Sequence, residues 1–219
     1  MGQVKAVIFD LDGTLLDTLE DIGNAMNEAL AEMDFPTHDL SAYRQFVGDG
    51  VEVLAQRACP PDTPQAVLTR CFLLHREIYA RRWREKTTPY PGVPEMLAKF
   101  AQAGKRMAVL SNKPHDKTVD CVRAYLGLAL FDVVLGAGPD LPKKPALVGV
   151  RRILSQWRLP NEAVWYVGDT NTDMLTAKGA GLRAVGVTWG FRPRSELLAS
   201  GADHTIDHAD ELSRLVLGV

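Results

Sequence analysis

Asp10 and Asp12 close the apolar run Val7-Ile8-Phe9, where an ionised group is costly unless it is hydrogen-bonded, paired or bound to a cation. Two like charges so close also shift each other's titration. The stretch is therefore either a surface turn or a place that expects a cation. Two further apolar runs end the same way. Ala108-Val109-Leu110 leads into Ser111, and Trp165-Tyr166-Val167-Gly168 into Asp169. Singly, each reads as a strand finishing in a polar turn residue. Together they bring acids and a hydroxyl to the strand ends at which open α/β sheets bind ligands.

The elements that would position these residues are read from periodicity. Residues 4–9 are rich in β-branched and aromatic residues, as in a buried strand. From Leu19 the period turns helical, with Ile22, Met26, Leu30 and Met33 on one face and Asp17 or Thr18 as the cap. Helical patterning returns at 51–57 and 64–84, and the breaker at 87–94 ends it. Beyond it, strands are predicted over 106–112, 131–137, 163–169 and 182–188, with helices starting near Val93, Lys117, Ala146 and Thr172. Such alternation predicts an α/β fold, a Rossmann-like doubly wound parallel sheet. The early helical block interrupts it, so the expected division is 1–16 with 89–219 as the α/β core and 17–88 as an inserted helical domain.

A chain of 219 residues with 46% hydrophobic and 24% charged residues has the make-up of a soluble globular protein with a real core. Its net charge of -2 does not favour nucleic acid or a membrane surface as partner. No run is long enough to span a bilayer. Cys59, Cys71 and Cys121 are scattered and form no CxxC, which suits reduced thiols. With no signal-peptide pattern at the start, a cytoplasmic location is expected.

Asp10-Leu11-Asp12-Gly13-Thr14 resembles the signature of the haloacid dehalogenase superfamily, and the resemblance extends over the whole chain. Ser111 matches the second motif, Lys144 the third, and the stretch from Gly168-Asp169 to Thr172-Asp173 the acidic fourth. The insert lies where that family carries a helical cap. The segments at 90–97, 111–114 and 46–54 are most similar to the phosphoglycolate phosphatase branch. Lys143 adjoins Lys144, and Pro145 selects the latter; Ala146 and Leu147 stand where the branch usually has a second proline.

The resemblance implies a Mg²⁺-dependent phosphatase acting on a small phosphorylated metabolite through an aspartyl-phosphate, with 2-phosphoglycolate as first candidate. Asp10 would be nucleophile and metal ligand, joined by the Asp12 carbonyl and by Asp169. Asp173 would steady the metal directly or through water, or serve only as a helix cap. Asp12 would be general acid and base, and an acid there argues against carbon–halogen cleavage, because the family's dehalogenases lack one. Ser111 and Lys144 would meet the phosphoryl oxygens, with Thr14 and Asn112 beside them. Ser111 as a helix cap is the alternative. Gly48, Asp49 and Gly50 are expected to form a substrate-facing loop of the cap, against a plain turn between helices.

Two other functions remain open at this stage: a sugar-phosphate mutase on the same scaffold, and a non-enzymatic phospho-acceptor module. The expected assembly is a monomer or homodimer. The basic and aromatic stretch at 79–86 reads as a solvated helix face rather than a nucleic-acid patch. His204 and His208 have no third metal ligand in sight, and Trp157, Trp165 and Trp189 read as packing residues.

Overall fold

The strand β1 (Ala6–Phe9) is buried along its whole length, as a strand covered on both faces must be. The computed structural model describes residues 3–218. After β1 come the two-residue β2 (Leu16–Asp17) and four helices: α1 (Leu19–Ala31), α2 (Leu40–Phe46), α3 (Val51–Ala58) and α4 (Gln65–Arg82). The short β3 (Thr88–Pro89), paired with β2, returns the chain to alternation. There follow α5 (Val93–Gln102), β4 (Arg106–Pro114), α6 (His115–Tyr125), β5 (Val133–Ala137), α7 (Val148–Trp157) and β6 (Val164–Gly168). The chain closes with α8 (Asn171–Gly179), β7 (Arg183–Val187), α9 (Arg194–Ala199), β8 (His204–Ile206) and α10 (Ala209–Leu217). It divides into one unit of Met1–Leu16 with Pro89–Val219, and another of Asp17–Thr88.

In the first unit all six strands run parallel in the order β5-β4-β1-β6-β7-β8. The chain builds outward from β1 through β4 to β5, then crosses back to β6 and builds the other way. Strand order therefore reverses beside β1, which makes a crevice at its carboxyl end. One face of the sheet packs Ile8, Leu110 and Tyr166 against Ile153 and Trp157 of α7 and Met174 of α8. On β1, Phe9 stacks on Phe100 of α5, ring centres 6.4 Å apart. The α/β expectation holds, with two adjustments at ends. β4 runs on to Pro114, so α6 starts at His115 rather than near Lys117, and α7 starts at Val148 rather than Ala146.

The second unit is all helical apart from the ends of β2 and β3. Ile22, Met26 and Leu30 of α1 are buried, while Met33 lies beyond the helix end and is only half-buried. Thr18 occupies the N-cap position without a side-chain bond, and Asp17 Oδ1 takes the Leu19 N–H at a long 3.4 Å. The stronger device is Asp21. Its buried carboxylate accepts the backbone N–H of Lys86, the N–H of Thr87 at 2.9 Å and the Thr87 hydroxyl at 2.7 Å, tying the unit's last residues to its first helix. Short α2 was not anticipated; its Tyr43 is buried and donates to Asn27 Oδ1 at 2.6 Å.

Candidate active site

The carboxyl ends of β1, β4 and β6 are held in register by parallel pairing, with Phe9 opposite both Val109 and Val167. Asp10, Ser111 and Asp169 therefore leave the sheet at nearly one level, and the Asp10 N–H is still bonded to the Val167 carbonyl at 2.9 Å. Between Ser111 and Pro114 the β4–β5 register slips. Such a bulge re-aims side chains. Ser111, Asn112 and Lys113 are all buried in succession, as residues 107–110 before them are.

Carboxylate oxygens of Asp10, Asp169 and Asp173 lie within 4.8 Å of one another, and all three residues are buried. Lys144 sits among them, its Nζ 2.8 Å from Asp10 Oδ1 and 2.7 Å from Asp173 Oδ1. For Asp10 Oδ1, itself buried, that ion pair is the polar contact. Asp173 is different. Its Oδ1 accepts from Lys144 and from the Tyr166 hydroxyl at 3.3 Å, and its Oδ2 accepts from the N–H and the hydroxyl of Thr170. It also closes a capping box with Thr170 at the start of α8, so the helix-cap reading holds and two partners are added to it.

Asp12 stands apart from this triad. Both its oxygens face the Lys113 ammonium, at 3.0 and 3.1 Å, in a pair that is almost fully buried. Lys113 is the residue that motif reading missed. Ser111 caps no helix: its Oγ accepts the Lys113 N–H at 3.2 Å within the bulge. Two of the expected substrate contacts have partners within the chain. The Asn112 carboxamide accepts the Lys144 N–H at 2.7 Å and donates to the Lys144 carbonyl, which braces that lysine. The Thr14 hydroxyl, assigned to phosphoryl oxygens, donates to Asp169 Oδ1 at 2.9 Å.

Charge balance explains the titration of the cluster. Burial, then the neighbouring Asp173, raises Asp10 to about 7, and Lys144 offsets only part of this. Burial, then Asp10 and Asp173, holds Asp169 well above the usual carboxylate range. Burial pulls on Lys144 in the other direction, but Asp10 and Asp173 outweigh it and its ammonium is held well above the ordinary value. Four buried carboxylates face two ammoniums, Lys113 and Lys144. An oxygen-rich pocket in which carboxylates outnumber ammoniums, and in which three carboxylates can each offer an oxygen within 4.8 Å of the others, fits a hard divalent cation.

Gly48, Asp49 and Gly50 belong to the second unit, in the connection from α2 to α3. Both glycines have positive φ, 127° and 91°, and Arg57 bonds Asp49 Oδ2 at 2.6 Å and the carbonyls of Gln45 and Phe46. His204 stacks on Trp165 and His208 caps α10, which leaves no histidine metal pair at these positions. In the 79–86 stretch Arg82 pairs with Glu28 and Glu85. The three cysteines are free and buried. Among the described residues no helix is long and apolar enough to cross a membrane.

A parallel sheet of this order, with acids at the ends of β1 and β6 and a lysine between them, places the chain in a known class. The model of the haloacid dehalogenase-like hydrolase family matches residues 7–187, and the chain belongs to that family. Within the family it is similar to a phosphoglycolate phosphatase of Cereibacter sphaeroides, 36% identical over 222 residues covering 97% of this chain and 98% of that one. It is also similar to a phosphoglycolate phosphatase of Vibrio parahaemolyticus, 32% identical over 97% of this chain and 96% of that one. Among solved structures, a protein of Lactobacillus delbrueckii subsp. bulgaricus provisionally named a phosphoglycolate phosphatase superposes with a TM-score of 0.93, at 28% identity and with 100% of both chains covered.

Proposed function

We propose that the chain hydrolyses a small phosphomonoester, with 2-phosphoglycolate as substrate and Asp10 as the group that is transiently phosphorylated. Its enzyme class is phosphoric monoester hydrolase, the class to which its named relatives belong. The observation that carries the reading is the buried cluster of Asp10, Asp169 and Asp173 around Lys144, with Asp12 held separately by Lys113. Mg²⁺ is the cation proposed for the pocket, held by Asp10, Asp169 and the Asp12 carbonyl, where it would offset phosphate charge. Because Asp173 already receives four donors, it is assigned to holding Lys144 in place rather than to metal.

The other steps belong to the chain's own groups. A carboxylate oxygen of Asp10 attacks phosphorus and the ester oxygen departs, taking its proton from Asp12. The Asp12 carboxylate then takes a proton from water, which attacks the aspartyl-phosphate and releases phosphate. The Ser111 hydroxyl and the Lys144 ammonium receive charge on the phosphoryl oxygens. The loop at Gly48, Asp49 and Gly50 is proposed to select among leaving groups. No metabolite beyond a small phosphoester is called for as partner, and a cytoplasmic setting suits such a substrate.

The test is inorganic phosphate release from a panel of small phosphoesters, with Mg²⁺ and with chelator. Mg²⁺-dependent release, fastest from 2-phosphoglycolate, is expected. No release from any ester in Mg²⁺ would sink the phosphatase reading. Sugar-phosphate interconversion without net release would establish the mutase instead.

A further inference from the structure

The loop that follows β7 touches two parts of the site that are far apart in sequence. Trp189 donates its indole N–H to the Thr14 carbonyl at 3.0 Å, and Phe191 donates its backbone N–H to Asp169 Oδ2 at 2.8 Å. Gly190, between them, is buried against Asp169. A Cβ there would stand 2.6 Å from Asp169 Oδ2 and overlap both the Asp169 Cβ and the Gly13 carbonyl. Only a residue without a side chain permits that approach. The circuit closes through Thr14, whose hydroxyl holds the other Asp169 oxygen. Each carboxylate oxygen of Asp169 thus receives one hydrogen bond and keeps a further lone pair.

The same loop also grips the turn that begins with Asp12. The Trp189 ring lies 6.3 Å from that of Tyr90, and the Tyr90 N–H donates to the Leu15 carbonyl at 3.1 Å. Thr14 and Leu15 are therefore held by hydrogen bonds from two aromatic residues beyond Pro89. An indole that served packing alone would need only its ring. Here its one polar group is spent on the backbone of the turn that carries the proposed metal-binding carbonyl.

We infer that Trp189-Gly190-Phe191 is a positioning clamp, which sets the orientation of Asp169 and of the 12–14 turn and thereby the affinity of the site for its cation. The inference rests on the metal reading proposed above. It adds a determinant of metal binding outside all four motif segments.

Calorimetric Mg²⁺ titration of the full chain, alongside thermal unfolding in chelator, separates positioning from packing. Trp189→Phe keeps an aromatic ring and removes the N–H. It should unfold in chelator close to the wild-type temperature and bind Mg²⁺ about fivefold more weakly, the worth of one hydrogen bond. Raising Mg²⁺ should restore most of its lost turnover. Gly190→Ala should lose more, because Asp169 itself must move; if it does not fold, Trp189→Phe alone decides. Wild-type Mg²⁺ affinity in Trp189→Phe would overturn the clamp, whether or not its melting temperature falls. Failure of the wild-type chain to bind Mg²⁺ would overturn the metal reading and the clamp together.

Discussion

Lys113 faces both oxygens of Asp12 in a nearly buried ion pair. Removing one partner of a buried ion pair leaves the other uncompensated, so the effect of a substitution falls on the survivor. Lys113→Met should fold and lose turnover by about 100-fold, the lower end of the ~10²–10⁴-fold that a general acid–base group contributes. Steady-state phosphate release by a variant with a normal thermal transition measures this, and a loss under threefold would remove Lys113 from the account. Asp10, Ser111 and Asp169 were legible because each ends an apolar run that can only be a buried strand. Lys113 was not, since a lysine after a strand reads as solvated, and its partner is 101 residues away. Trp189 was read as packing for a similar reason. A single aromatic at a strand end carries no sign of a carbonyl 175 residues earlier.

At the scale of elements, side chains extend what the backbone ladder begins. Asp203, just before β8, accepts the Ala184 N–H of β7 at 2.8 Å and the Lys178 ammonium of α8 at 2.9 Å. Partial burial pushes the Asp203 carboxyl upward, but the bonds from Lys178 and Ala184 outweigh it and hold its pKa below the usual value. A group depressed on folding stabilises above its unfolded pKa, and that contribution is lost as pH falls through the folded value. Asp203→Asn should therefore cost stability at about pH 7, by no more than ~1 kcal/mol because the pair is solvent-screened. The gap to wild type in urea unfolding should shrink as pH drops from about 5 towards 3. A gap that widens on acidification would contradict the assignment. Strands β1, β4, β6 and β7 were readable, because burial on both faces gives each an apolar run. Seven-residue α2 was not, being too short to show a helical period, and the ends of α6 and α7 shifted where β4 overran and where Ala146 and Leu147 stayed outside the helix.

At the scale of the whole molecule, the sheet order decides which chemistry is available. Reversal of strand order beside β1 opens a crevice at the one edge where Asp10, Asp169 and the β4 bulge meet. Alternation in the sequence pointed to this parallel architecture, but which strands are neighbours, and hence that Asp10 adjoins Asp169, follows from pairing that no local pattern encodes. The central claim is that phosphate passes through Asp10. Acid quenching during turnover of substrate labelled in its phosphoryl group tests it most directly. Label should be trapped on the peptide that contains Asp10, only when Mg²⁺ is present, and Asp10→Asn should trap none and release no phosphate while remaining folded. Undiminished phosphate release by a folded Asp10→Asn, with no label on the wild-type protein, would contradict the account.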